Sequence, residues 1–233
     1  MFDVLDLVCP VDKQYNLDNV ISLSKKGLSD DLKAVFVALD YKNNDVAKLI
    51  LNIKNGRQFT LIPDLGSIVV SKLLDFSLKV SQDREYYNDN LLQLVELISD
   101  VFDPRIRTLI TFVPSDPVRT LKRGFHFPQL LCSDITARLN TIADNKKVFD
   151  VCPLLIKPQT TQAQSTLNRK NRLTNLKNQF QIIDNPKYNL ANYNAVIIID
   201  DLTTTGATIS ESATTIKSSH PFLKIYGIAV ASN

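Results

Sequence analysis

Two kinds of hydrophobic pattern divide the chain into predicted strands and helices. Short, continuous apolar runs rich in β-branched residues predict strands at 34–39, 108–113, 151–156, 195–199 and 225–231. Apolar positions spaced three and four apart predict helices at 46–53, 68–78, 90–102, 127–142 and 207–218. Strands that are apolar throughout and alternate with helices are typical of parallel sheets. We therefore expect an α/β fold, in which helices cover both faces of a mostly parallel sheet.

The two parts of the chain differ in pattern. Residues 1–104 are mainly helical in pattern, with one strand-like run, and carry no motif that indicates chemistry. Residues 105–233 repeat the order strand, loop, helix, which is the pattern of an α/β domain. We therefore predict an accessory region over 1–104 and a main domain over 105–233.

Composition and charge exclude several classes of protein. The chain has 233 residues, of which 44% are hydrophobic, so it is long and apolar enough to bury a core. Its formal net charge of +3 gives no overall electrostatic reason to bind nucleic acid. The three cysteines are scattered, without the spacing of a disulfide framework or a zinc site. The first residues are acidic where a signal peptide is basic, and no apolar run could span a membrane, so we expect a cytoplasmic protein without membrane insertion.

Ligands of parallel sheets bind beyond the carboxyl ends of the strands. The segments to inspect are therefore those that follow Val113, Ile156 and Ile199. After Ile199 the chain reads Asp-Asp-Leu-Thr-Thr-Thr-Gly-Ala-Thr, an acidic pair and then a hydroxyl-rich turn before a predicted helix. Amides at a helix N-terminus attract phosphate, and the carboxylates suit ribose hydroxyls better than a phosphate of like charge. The run predicts a ribose 5-phosphate site; an ordinary helix cap is the alternative.

Two basic segments add candidate contacts for an anion. The loop after Val113 carries Arg119, Lys122 and Arg123 against a single acid, which suits pyrophosphate or, alternatively, a solvated basic turn. The segment from Lys157 to Lys177 has five basic residues and no acid. Such a segment fits a mobile lid over an anionic substrate, and a disordered surface loop is the alternative.

The acidic pair and the threonine turn together resemble the phosphoribosyl pyrophosphate signature of the type I phosphoribosyltransferases. The resemblance implies a phosphoribosyltransferase-like core in which Asp200 and Asp201 bind the ribose hydroxyls and are the catalytic residues. It also implies that a Mg²⁺ ion arrives on the pyrophosphate, without a metal site formed by the protein alone. The residues implied to hold the 5-phosphate are Thr204, Thr205, Gly206, Ala207 and Thr208.

Further segments resemble the ComF branch of that superfamily. They are the strand end Val113-Pro114, the turn Arg123-Gly124-Phe125, and a spaced set of residues at Thr161, Gln164, Leu167, Arg172, Asn175 and Phe180. A weaker likeness covers Tyr41, Leu49-Ile50 and Ile53-Lys54. Only Cys9-Pro10 remains of the family's zinc module, and His126 and Phe127 replace its Asn and Gln.

This second resemblance implies roles for individual residues and for the protein. A pyrophosphate loop would include Pro114, Ser115 and Arg123, and a flexible loop would include Lys157, Gln164, Arg172 and Asn175. The protein would transfer a phosphoribosyl group to an unidentified acceptor and act in DNA uptake, with single-stranded DNA or the uptake machinery as a partner. The alternative is a non-catalytic protein that handles single-stranded DNA, although no aromatic residue lies between Lys157 and Lys177 to stack on a base.

Overall fold

The computed structural model describes residues 21–22, 28–82, 89–143, 149–157, 179–183 and 186–232. Its strands are β1 (Ile21–Ser22), β2 (Ala34–Asp40), β3 (Thr108–Phe112), β4 (Phe149–Val151), β5 (Leu155–Ile156), β6 (Gln181–Ile182), β7 (Ala195–Thr203) and β8 (Lys224–Ser232). Six of them form one sheet in the order β1-β2-β8-β7-β3-β4, and β5 pairs with β6 apart from it.

The main sheet is parallel except at one edge. β2, β8, β7, β3 and β4 run parallel, and the two-residue β1 pairs antiparallel with β2. The central strand β7 places Ile197 opposite Tyr226 of β8 and Ile110 of β3. This arrangement confirms the expected α/β fold with a mostly parallel sheet, and it is compatible with a Rossmann-like core.

Six α-helices lie in the described part of the chain. They are α1 (Asn44–Lys54), α2 (Ile62–Gln82), α3 (Asp89–Phe102), α4 (Pro117–Arg123), α5 (Phe127–Ile142) and α6 (Ala207–Ser219). Local signals explain where two of them begin. The Asn43 side chain caps α1 by accepting hydrogen bonds from the amides of Asp45 and Val46, and Pro128 occupies the first turn of α5, where a missing amide is tolerated. Among the helices of the described residues, none has the length and apolar character needed to cross a membrane.

Helices cover both faces of the sheet, as the apolar strands predicted. On one face, α1, α2, α3 and α5 pack around Ile197 and Ile199 of β7. On the other face, α6 packs against Val196 and Ile198 through Ile209, Ala213 and Ile216. Alternate residues of a strand point to opposite faces, so β7 contributes to both cores. This double burial explains why its first five residues are all apolar.

Residues on both sides of position 104 share the sheet and one core. β2 lies next to β8, with Phe36 opposite Ile228, and Phe76 of α2 packs in the same cluster. At the amino end of β8, the Lys224 ammonium and the Tyr226 hydroxyl both donate to the Asp100 carboxylate of α3, at 3.0 and 2.7 Å. The helical first part of the chain is thus joined to the strands of the second part.

Three elements differ from the sequence prediction. β7 continues to Thr203, so the acidic pair belongs to the strand and not to the loop after it. The predicted strand 151–156 is split, because Pro153 has no amide to donate and Leu154 donates to the Thr111 hydroxyl instead. The predicted loop after Val113 contains α4, whose first turn is capped by the Asp116 carboxylate accepting from the Val118 amide at 2.8 Å.

The contact between α6 and the sheet predicts the effect of a single methyl group. A Cβ added at Gly227 of β8 would lie 2.8 Å from Cγ2 of Ile209 and 3.1 Å from Cγ2 of Val35. We expect Gly227→Ala to lower the free energy of unfolding by about 1–3 kcal/mol, measured by urea denaturation, because the overpacked helix must shift. The exposed Ser219→Ala is the control, expected to change it by less than about 0.5 kcal/mol. An unchanged midpoint in Gly227→Ala would show that Ile209 does not pack there.

Candidate functional site

The order of the strands places a crevice between β3 and β7. From β3 the chain crosses through α5 to β4 on one side, and from β7 it crosses through α6 to β8 on the other side. The two crossover helices cover opposite faces of the sheet, so the loops after β3 and β7 separate at its carboxyl edge. Open α/β sheets bind ligands at such a switch point. The segments that follow Val113 and Ile199 are therefore neighbours, as predicted from the sequence.

The threonine turn after β7 presents amides toward this edge. Gly206 has φ 72° and caps α6, a left-handed conformation that glycine adopts without strain. The turn uses its own hydroxyls to accept from two amides: Thr203 Oγ1 from Gly206 at 3.0 Å and Thr205 Oγ1 from Ala207 at 3.4 Å. Within the described part of the chain, no hydrogen bond occupies the amides of Thr204, Thr205 and Thr208. Three amide donors and the helix dipole thus remain available to an anion.

Asp200 is buried near the end of β7, with 7% of its surface exposed. Its Oδ1 accepts a hydrogen bond of 2.9 Å from the Asp201 amide. Burial, reinforced by the neighbouring Asp201 charge, raises the pKa of Asp200 to about 8. The raised pKa favours the carboxylic acid form, which can donate a hydrogen bond as well as accept one.

Asp201 has a different environment from its neighbour. Its Oδ1 lies 3.0 Å from the Lys54 ammonium at the end of α1, and the two side chains are only 13% and 21% exposed. Sequence reasoning assigned no site residue to the first 104 positions, so it missed Lys54. The one signal was the weak family likeness around Ile53-Lys54, which gives no contact by itself.

The loop after β3 is tied to the acidic strand and to α5. The Val113 amide donates to the Ile199 carbonyl at 2.9 Å. The amides of Ser115 and Gln129 both face the His126 ring, at 3.0 Å from Nε2 and 3.2 Å from Nδ1. A neutral imidazole can accept at one nitrogen only and a protonated one at neither, so both contacts favour the neutral ring.

His126 responds to charged groups from both the acidic pair and the end of α4. Burial lowers the pKa of His126 below its ordinary 6.5; the charge of Asp201 opposes this shift and that of Arg123 adds to it. His126 is thus close enough to both charged groups to respond to them. His126 occupies the N-cap position of α5, and its neutral ring can accept from the Gln129 amide or the Ser115 amide but not from both at once.

An open groove of about 490 Å³ lies beside this loop. Phe125 lies near the Phe59 ring, with the centroids 6.1 Å apart, and Leu121 is 85% exposed at its edge. The groove is lined by Ser115, Pro117, Thr120, Leu121, Gly124, Phe125 and His126. The loop predicted to bind pyrophosphate therefore opens onto a mainly apolar surface.

The structure brings most of the predicted site residues to one edge of the sheet. Asp200, Asp201 and the turn 204–208 lie at the end of β7, and Pro114 and Ser115 follow β3. Arg123 ends α4, and Lys157 lies half-buried just after β5. The other flexible-loop residues, Gln164, Arg172 and Asn175, lie outside the described residues, together with Cys9, Thr161 and Leu167.

The residues at this edge offer few ligands to a metal ion. Across the described ranges, no group of three His, Cys, Asp or Glu side chains is placed to hold one. Burial of Asp200 favours its protonated form, and Asp201 already pairs with Lys54. A Mg²⁺ ion at this edge would therefore take its oxygen ligands mainly from bound phosphates and water, which is a usual form of Mg²⁺ binding.

No protein-family model matches the chain, and no curated protein matches it. The function is therefore inferred from the chemistry of the crevice.

The buried carboxyl of Asp200 predicts an unusual dependence of stability on pH. The folded state keeps a proton that an unfolded aspartate releases near pH 4, so stability is full below that pH and falls as pH rises toward 8. The slope is at most about 1.4 kcal/mol per pH unit. We expect Asp200→Asn, a neutral mimic of the acid, to match the parent protein at about pH 3.5 and to exceed its free energy of unfolding increasingly from pH 5 to pH 8. Urea denaturation across this range measures it.

The control for this measurement is Asp30→Asn, which neutralises an exposed carboxyl. Its free energy of unfolding should follow that of the parent protein at every pH. A constant difference between Asp200→Asn and the parent from pH 5 to pH 8 would show that Asp200 is not protonated in the folded state.

Proposed function

We propose that the crevice binds phosphoribosyl pyrophosphate with Mg²⁺ and that the protein transfers the phosphoribosyl group to an acceptor. One observation carries this proposal: an acidic pair is followed at the switch point of the sheet by a turn in which three amides have no hydrogen-bond partner among the described residues. The resemblance to the ComF family adds a cellular role in DNA uptake to the proposal.

The sugar phosphate would use both parts of the β7 edge. Its 5-phosphate accepts from the amides of Thr204, Thr205 and Thr208 at the positive end of α6. The ribose hydroxyls lie against the acidic pair, where the Asp201 carboxylate accepts and the protonated Asp200 can donate. A phosphate in the turn and hydroxyls on the acids keep like charges apart. This division explains why two acids are tolerated beside an anion site.

The pyrophosphate would leave toward the loop after β3. A nucleophilic nitrogen of the acceptor forms a bond to the anomeric carbon while the bond from that carbon to the pyrophosphate oxygen breaks. The electron pair leaves with the pyrophosphate, and the nitrogen loses its proton to solvent. Mg²⁺ bound to the pyrophosphate supplies charge neutralisation, and the Arg123 guanidinium adds to it. Ser115 lies in the same loop, which the Val113 amide holds against β7.

Binding is tested by thermal unfolding with the ligand. A ligand at 100 times its dissociation constant adds about 2.7 kcal/mol to the stability of the folded state. For a protein of this size we expect phosphoribosyl pyrophosphate with Mg²⁺ to raise the Tm by roughly 5–10 °C. Asp201→Asn should remove most of this shift, because the ribose loses its carboxylate acceptor. The matched control is Asp40→Asn, an acid at the carboxyl end of β2 whose Oδ1 accepts from the Lys42 amide.

Other outcomes would select against the proposal. An unchanged Tm with phosphoribosyl pyrophosphate would contradict it. If the protein instead bound a single-stranded oligonucleotide with an affinity that falls steeply with salt, the non-catalytic alternative would replace it. Release of pyrophosphate in the presence of a nitrogen acceptor would establish turnover, and binding without release against a panel of such acceptors would limit the protein to a binding role.

A further inference from the structure

The Lys54 ammonium carries more N–H donors than its contact with Asp201 uses. An ammonium group carries three N–H donors, and within the described part of the chain its recorded partner is the Asp201 carboxylate at 3.0 Å. The side chain is only 21% exposed, so it is held in place at the end of α1 and does not extend freely into solvent. Among the described residues, two of its donors therefore have no partner, and a group that enters the crevice can accept from them.

The end of α1 faces the loop predicted to bind pyrophosphate. Gly56 lies two residues beyond Lys54 with φ 74°, and a Cβ at this position would lie 3.7 Å from the Phe125 ring. Phe125 follows the Arg123-Gly124 turn, and the next residue, His126, responds to the Asp201 charge. Lys54 thus reaches Asp201 from the face of the sheet against which Phe125 also packs, and α6 lies on the opposite face.

A second cationic side chain lies near this end of the crevice. The charge of Arg123 acts on His126, and so does that of Asp201, the partner of Lys54. A pyrophosphate carries several negative charges, and ammonium groups bind phosphate oxygens as point charges.

We propose that Lys54 is a binding residue for the pyrophosphate group of phosphoribosyl pyrophosphate, and that it makes the site selective for this ligand over ribose 5-phosphate. This inference rests on the proposed function and deepens it. The N-terminal helix α1 then supplies one side of the site, in which Lys54 contacts both the ligand and the carboxylate that holds the ribose.

The test compares two ligands in matched variants. Dissociation constants for phosphoribosyl pyrophosphate with Mg²⁺ and for ribose 5-phosphate are measured by titration calorimetry. We expect Lys54→Met to weaken phosphoribosyl pyrophosphate about 10- to 100-fold, the usual range for a lost charged hydrogen bond, and ribose 5-phosphate by less than about 3-fold. Lys54→Arg should recover part of the lost affinity. Lys48→Met is the control, since Lys48 lies on the same helix with its side chain 75% exposed.

The outcomes separate this inference from the function on which it rests. If the parent protein binds neither ligand, the proposed function fails. If it binds both and Lys54→Met weakens them equally, Lys54 only positions Asp201 and the inference is wrong. Equal affinities in Lys54→Met and the parent would also overturn it. Should Lys54→Met not fold, Lys54→Gln retains a polar head group and replaces it in the same comparison.

Discussion

A carboxyl group in a buried strand is unfavourable unless it is neutralised, and β7 carries two of them near its end, Asp200 and Asp201. The structure meets this constraint in two ways. Burial raises the pKa of Asp200, which favours its neutral, protonated form. Asp201 is paired with the Lys54 ammonium, 3.0 Å away. The strand therefore joins a dry core to a polar edge within a few residues. The position of α1 is tied to this constraint through Lys54, and the Asp201 charge also acts on His126.

The site is composite for the same reason. A strand presents successive side chains to opposite faces of the sheet, so the side chains of two adjacent acids contact different neighbouring elements. Lys54 comes from α1, on the face that α5 also covers, and the threonine turn leads into α6 on the other face. The crevice therefore depends on both layers of helices and on how closely they approach the sheet. Gly227 sets one such approach, because its missing side chain leaves room for Ile209 at the start of α6.

Much of the fold follows from local pattern. The apolar run 195–199 predicts a doubly buried strand, and the amphipathic pattern of 127–142 gives the bounds of α5. The order of strands and helices then places the loops after Val113 and Ile199 at one edge. Local pattern could not show that β7 continues through the acids, because the ladder with β8 extends it to Thr203 opposite Ser232. It also could not show the Lys54–Asp201 pair, which joins residues 147 positions apart and exists only after the helices pack. Phosphoribosyl transfer and ComF membership remain predictions.

The position of β8 has a consequence for how the chain acquires its structure. This strand includes residues 224–232, near the end of the sequence, but it lies between β2 and β7 in the middle of the sheet. On a ribosome, β2 and β7 are made earlier and keep open edges until β8 emerges to bridge them. Late insertion of a central strand is a long-range step, which slows folding. Until it occurs, the unpaired strand edges are exposed and favour aggregation. Nascent chains stalled before residue 224 would lack that bridge and be candidates for chaperone capture.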